Sequence, residues 1–188
     1  MHQLLYFILR IMALPHYCFY RNSDASIKDL IDADIRVMNE RCKMNKGLVY
    51  WLVYRKPYRN LFYYRIPKAR YLKLLLPEYP LFTIVRGVEI GGGAFVLNHP
   101  YGTILNAKKI GRNFTCCHLT TIGNGNHGDN TLLPVIGDNV SLGANVTIIG
   151  NVTIGNNVVI GAGSVVVKDF PDNCVVVGNP GRIITKKL

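Results

Sequence analysis

Histidine is the side chain whose ordinary pKa of ~6.5 lets a neutral imidazole take up and return a proton near neutral pH. Three of the five histidines, His99, His118 and His127, fall in the glycine-rich part of this chain. His99 stands in the turn-forming string Leu97-Asn98-His99-Pro100-Tyr101-Gly102, and His127 in a run rich in Gly, Asn and Asp. A turn histidine is most often simply solvated. The chemistries open to a group of three are proton transfer and zinc ligation. Cysteine offers less. The five cysteines are odd in number and contain no C-x-x-C pair, which fits neither a disulfide scaffold nor a zinc finger and suits a reducing compartment.

The elements that must position these residues come in two compositions. The chain has 188 residues, 49% of them hydrophobic, enough for one domain with a buried core. Its net charge is +11, which invites nucleic acid, an anionic membrane or a phosphate-bearing ligand as partner. Residues 1–80 hold 14 Lys/Arg against 6 Asp/Glu and one glycine, Gly47; residues 81–188 hold the other 17 of the 18 glycines. A helical region over 1–80 and a different architecture over 81–188 are therefore expected.

Leu4 to Leu14 is apolar except for Arg10, too short to span a membrane, and reads as a packed or membrane-surface helix. Ser26 to Met44 reads as a helix capped by Ser26 with Asp29 in the capping-box place, ended by Gly47. Leu48 to Tyr64 reads as a second helix, kinked or split at Pro57, with tyrosine edges in the core and a solvated basic face. No nucleic-acid motif accompanies the charge, so nucleic acid is not expected as a partner.

From residue 136 onward a six-residue period runs through Ile136-Gly137, Val140-Ser-Leu142, Val146-Thr-Ile148, Val152-Thr-Ile154, Val158-Val-Ile160 and Ser164-Val-Val166. It recurs upstream as Ile84, Ile90, Val96 and as Ile110, Cys116, Ile122. Strands of about three residues cannot make a stable meander, but stacked as coils they pair backbone to backbone and put Val over Val and Ile over Ile. The expected fold is a parallel β-solenoid. The period breaks over Asn98–Lys109 and over Gly123–Val135; the second break reads equally as a flap over a groove or as a solvated loop.

This repeat resembles the hexapeptide-repeat acyltransferases, and more closely the serine O-acetyltransferases. The resemblance rests on Leu97 to Gly102, Thr121-Ile122-Gly123, Pro134-Val135-Ile136-Gly137, Ile160 to Val166, and Gly178-Asn179-Pro180-Gly181-Arg182, where Gly181 replaces the usual Ala. It covers about residues 84–184. It implies a mainly β fold, a left-handed parallel β-helix with an N-terminal α-helical segment, assembled as a homotrimer with sites between protomers and acetyl-CoA as donor.

The resemblance makes His99 the general base, aided by Asn98, with backbone amides near Gly123 polarising the thioester carbonyl. It places the donor along Gly143, Ala144, Gly161 and Ala162, with Lys168 and Arg182, and Lys186 and Lys187 beyond, near the phosphates. On the acceptor side the chain departs from the family. Asn98 stands for the dyad Asp, Leu132-Leu133 for an Arg-His pair, His118 for the usual Gln, and the family's Asp-Pro-Ala motif has no counterpart. The departures argue against a free amino acid and favour a sugar hydroxyl as acceptor. No metal is expected. Two alternatives remain: a non-catalytic trimeric solenoid acting as a binding module, and a zinc enzyme like the γ-class carbonic anhydrases, whose ligand spacing is absent. The expected location is cytoplasmic, with peripheral membrane contact through the N-terminus.

Overall fold

The six-residue period becomes a winding of short strands and sharp corners. The computed structural model describes residues 2–98, 100–125 and 131–186. Four α-helices come first: α1 (His2–Arg21), α2 (Ala25–Cys42), α3 (Leu48–Tyr54) and α4 (Lys56–Arg65), then a 3₁₀ segment over Pro67–Leu74. Fifteen strands follow: β1 (Phe82–Ile84), β2 (Glu89–Ile90), β3 (Phe95–Asn98), β4 (Thr103–Leu105), β5 (Lys109–Ile110), β6 (Thr115–Cys117), β7 (Thr121–Gly123), β8 (Val135–Ile136), β9 (Ser141–Leu142), β10 (Thr147–Ile149), β11 (Thr153–Ile154), β12 (Val159–Ile160), β13 (Val165–Val166), β14 (Cys174–Val177) and β15 (Arg182–Lys186).

Every third strand pairs in parallel, so the chain makes a three-sided solenoid. Face one is β1-β4-β7-β10-β13, face two β2-β5-β8-β11, and face three β3-β6-β9-β12-β14, closed by the antiparallel β15. Inward residues alternate with outward ones along the strands. Leu105, Ile122, Ile148 and Val166 form the inward column of face one, and Ile110, Ile136 and Ile154 that of face two, all at most 1% exposed.

The three edges between faces are built differently. From face two to face three the chain turns on Asn113, Asn139, Asn157 and Asn173, each left-handed with φ between 55° and 60°. Their side-chain amides form a ladder from coil to coil at 2.9–3.0 Å. Gly137 on this edge lies so close to the next coil that a Cβ would stand 2.7 Å from the Gly155 carbonyl oxygen. The edge from face three to face one carries Tyr101 and His118 in its first coils and Gly143-Ala144 and Gly161-Ala162 in the next. The edge from face one to face two carries the long insertion.

Register narrows the expected first break. Within Asn98–Lys109, β4 pairs regularly with β1 and β7. The extra residues come before β4: Phe95 to Ile104 takes nine residues where the equivalent Thr115 to Thr121 takes six, and two of the three extra fall between Asn98 and Ile104. The second break is larger, since Thr121 to Val135 takes fourteen residues where Thr147 to Thr153 takes six.

The helices cap the first coil. α2 starts after Asp24, which makes no side-chain cap bond, so Ser26 lies inside the helix and does not cap it. It ends at the left-handed Lys43, not at Gly47, which instead precedes α3. α1 runs through Pro15 to Arg21, beyond the apolar stretch, and leaves Leu4, Phe7, Ile11 and Leu14 more than half exposed. No helix among the described residues is long and apolar enough to cross a membrane.

The helix expected over Leu48–Tyr64 is split at Arg55, with Pro57 in the first turn of α4. Its basic face is only partly solvated. Arg59 is buried and donates to the carbonyls of Leu52, Val53 and Pro77 at 2.7–3.1 Å, satisfying the orphan C-terminal acceptors of α3. Arg65 is buried as well. It pairs with both oxygens of Asp34 at 2.7 and 3.0 Å and donates to the Ile90 and Gly91 carbonyls of the first coil. Asp34 also accepts from the amides of Gly93 and Ala94. This cluster ties α2 and α4 to the solenoid, and removing one partner of such a pair costs about 3–5 kcal/mol.

A second buried polar link joins α1 to the core. His16 has no exposed surface, and its Nε2 lies 2.7 Å from the Tyr63 hydroxyl, which donates to the Leu76 carbonyl. Burial, with the nearby Arg59 charge, lowers the His16 pKa from 6.5 to about 4. The native state therefore holds the imidazole neutral. Its stabilisation is complete above the unfolded pKa of ~6.5 and is lost as pH falls toward 4. The urea midpoint is expected to fall between pH 7 and pH 5, and His16→Gln to fall less over that interval. Equal pH slopes for the two proteins would show that His16 does not carry the effect.

Candidate functional site

Between β3 and β4 the chain passes from face three to face one. β3 delivers the backbone of Asn98 to this edge, where it pairs with Cys117 across a register shift. His99, the side chain of Asn98, His127 and Lys187 lie outside the described residues. Beyond His99, Tyr101 is 40% exposed and Gly102 turns with φ 63°, a left-handed conformation that would strain other residues. One coil below, His118 stacks on Tyr101 with ring centroids 4.9 Å apart and planes 16° off parallel. The Leu119 amide donates to the Tyr101 carbonyl, and the Asn145 amide to the His118 carbonyl, each at 2.9 Å. Leu119 itself is left-handed, with φ 57°.

The same edge continues through Gly143-Ala144 and Gly161-Ala162. The Gly163 amide donates to the Ala144 carbonyl at 2.9 Å, so these turns stack directly below His118. Gly143 is required by close approach, because a Cβ there would stand 2.6 Å from the Ala162 nitrogen. The result is a strip without bulky side chains, with peptide groups near the surface. Arg182, exposed on β15, closes the strip: its Nε lies 3.9 Å from where a Cβ of Gly178 would be. Two rings, a strip of bare backbone and a guanidinium thus share one edge. Such a strip can take an extended ligand lengthwise, with the cation at the far end.

The other residues expected in the site stand elsewhere in the protomer. Gly123 ends β7, across the full width of face one from His118. Leu132, 37% exposed, and the half-buried Leu133 lie in the long insertion on the next edge. Lys168 is exposed on that same next edge, its ammonium 5.8 Å from the Phe170 ring centroid. One protomer therefore brings together the backbone of Asn98 with His118, Gly143, Ala144, Gly161, Ala162 and Arg182. It leaves Gly123, Leu132, Leu133 and Lys168 on the second edge. Tyr101 was missed in the sequence, although an aromatic two residues after a turn histidine was its signal. Among the described residues no group of three or more His, Cys, Asp or Glu side chains could hold a metal ion.

A three-sided solenoid with one edge stripped for a ligand is a fold shared with known transferases. Residues 134–168 match the family model described as bacterial transferase hexapeptide (six repeats). The crystal structure of the serine acetyltransferase of Neisseria gonorrhoeae is similar over 93% of this chain and 70% of its own, at 30% identity and a TM-score of 0.77. The serine acetyltransferase of Synechococcus elongatus is 32% identical over 163 residues, 81% of this chain and 66% of its own. A putative colanic acid biosynthesis acetyltransferase of Escherichia coli K12 is 47% identical over 93 residues, 49% of this chain and 57% of its own. The chain spans little more than half the length of that relative. The chain belongs to the hexapeptide-repeat acyltransferase family, and within it resembles the serine acetyltransferases.

Proposed function

We propose that this protein is an acetyl-CoA-dependent O-acetyltransferase that acts on a sugar hydroxyl in preference to L-serine. The observation that carries the reading is the single edge on which the Tyr101–His118 stack, the Gly143–Ala144 and Gly161–Ala162 turns and Arg182 follow one another. In this reading the pantetheine arm of the donor lies along the bare backbone and Arg182 meets a phosphate. His99 takes the proton from the acceptor hydroxyl as its oxygen attacks the thioester carbonyl. When the tetrahedral intermediate collapses and the carbon–sulfur bond breaks, the imidazolium returns that proton to the departing sulfur. The products are the acetyl ester and the free thiol. Asn98 would hold the imidazole by hydrogen bonding, without the charge that a carboxylate would bring.

The second edge enters through assembly. Gly123, Leu132, Leu133 and Lys168 are a full face away from His118, so they reach the same reaction only if a neighbouring protomer brings its second edge to the first. A homotrimer of left-handed helices does so, with residues 81–188 as the transferase domain and 1–80 as the helical region. Light scattering at micromolar protein is expected to return three times the mass of the chain. An active monomer would contradict the shared site.

Acceptor choice rests on what the second edge lacks. A zwitterion entering a partly dry groove needs charged or well-aimed polar partners. Leu132 and Leu133 provide apolar surface, and the Tyr101–His118 stack a flat one, which suits the apolar face of a sugar ring. Each lost charge-assisted contact costs on the order of 1.5–3 kcal/mol, so two lost contacts lower affinity for serine by roughly 10²–10⁴-fold if they add.

Two measurements follow. In a thiol-release assay with acetyl-CoA over a panel of sugars and amino acids, at least one sugar is expected to outperform L-serine. A kcat/KM for serine near the usual enzyme floor of ~10⁴ M⁻¹s⁻¹, with no sugar used, would refute the assignment. With the best acceptor, His99→Ala is expected to lower kcat by ~10² or more while coenzyme A affinity is kept. Wild-type turnover in that variant would remove His99 from the mechanism.

A further inference from the structure

One cleft in the described protein lies outside the residues placed in the transferase site. It has a volume of about 900 Å³ and opens between the end of α4, the 3₁₀ segment and the first coil. Its walls carry three cations, Arg70, Lys73 and Arg86, against one carboxylate, Glu78. Lys73 is already engaged: it pairs with Glu78 and lies 5.7 Å from the Tyr63 ring centroid. Arg70 and Arg86 are exposed and, among the described residues, have no acidic partner. The same lining includes Tyr71, 86% exposed, a large ring turned to solvent. The floor turns at Gly87, where φ is 93° and a Cβ would meet nothing within 4 Å. The backbone there is left open to the cleft.

Two free guanidiniums beside a free aromatic ring make a particular chemical pattern. Planar guanidinium forks match the oxygens of phosphate, and an exposed ring supplies a stacking platform for a base or a sugar. A cleft of this size holds a ligand of nucleotide-sugar dimensions. We propose that this cleft binds the phosphate or pyrophosphate group of a phosphorylated ligand, with Arg70 and Arg86 as the clamp and Tyr71 as the platform.

The ligand's identity as the sugar acceptor rests on the transferase reading above; the anion site itself does not. Arg86 and Gly87 turn from face one to face two, on the same edge as the long insertion two coils further along. Coils stack at the strand spacing of about 4.8 Å, so the clamp stands roughly 10 Å from that insertion. A sugar joined to a pyrophosphate can bridge such an interval. Its charged end would be held at the cleft while the sugar lies toward the second edge.

Binding is tested by calorimetry on the full chain, with inorganic pyrophosphate, UDP-glucose, glucose and coenzyme A as separate probes. Pyrophosphate and UDP-glucose are expected to bind, and glucose not to. Arg70→Ala and Arg86→Ala are each expected to weaken both by about tenfold or more, the scale of one charge-assisted contact. Coenzyme A should bind these variants as it binds the wild type, and Lys56→Ala, an exposed charge outside the cleft, should leave pyrophosphate binding unchanged. Both arginines are exposed, so thermal unfolding should not move. Pyrophosphate bound equally by the wild type and both arginine variants, or by none of them at millimolar concentration, overturns the proposal. Competition of coenzyme A with pyrophosphate for the arginines would also overturn it, since the cleft would then serve the donor. Failure of the transferase reading looks different: pyrophosphate binds and the arginines matter, but no acceptor promotes thiol release from acetyl-CoA.

Discussion

Each coil of this protein must lie flat on the next, close enough for backbone amides and carbonyls to pair along three faces at once. That constraint decides what every position tolerates. Inward positions must be apolar and of similar volume, as Leu105, Ile122, Ile148 and Val166 are on face one. Corners must reverse direction within a few residues, which calls for left-handed backbone or glycine. On the edge from face two to face three the turns are made by asparagine, and the side-chain amides complete their own ladder. At Gly143–Ala144 and Gly161–Ala162 on the edge from face three to face one, no bulky side chain covers the peptide groups. The same stacking rule thus leaves one edge as scaffold and another as a strip open to a ligand.

A solenoid must also end. The first coil has no coil above it, and an unsatisfied strand edge there would invite pairing with other chains. The helices meet this need with buried polar groups. Asn60 bonds the backbone of Tyr79 and Phe82, Tyr64 reaches the Val88 carbonyl, and Arg65 bridges Asp34 to the Ile90 and Gly91 carbonyls. The arginines around the cap therefore have two fates. Arg59 and Arg65 are consumed in satisfying carbonyls, whereas Arg70 and Arg86, just outside the cap, remain free beside the cleft. The excess positive charge of the first 80 residues is in part structural and in part available to an anion.

The solenoid was legible in the sequence because its period is short and its requirement is strict: an apolar residue every sixth position leaves a visible trace from Ile136 to Val166. Short breaks were less legible. A three-residue excess before β4 and a regular strand after it look alike in a string of letters, which is why Asn98–Lys109 read as one interruption. Burial of Arg59 and Arg65 was hidden for another reason. Nothing local distinguishes an arginine that caps a neighbouring helix from one on a wet face, since the carbonyls it meets lie up to 26 residues away. The candidate site was legible by residue type but not by grouping. Gly143, Ala144, Gly161 and Ala162 share an edge because coils repeat, while Lys168, only six residues from Ala162, falls on the next edge. Tyr101 and His118 meet only once the coils are stacked.

The central claim is that the edge running from Tyr101 and His118 through Gly143 and Gly161 to Arg182 receives the acyl donor. Hydrogen–deuterium exchange with and without coenzyme A tests it directly, because bound ligand slows exchange of the backbone it covers. The account expects added protection in 143–146, in 161–164 and around 178–182. Protection confined to the asparagine edge, at Asn113, Asn139 and Asn157, or no change along the solenoid at saturating coenzyme A, would contradict it.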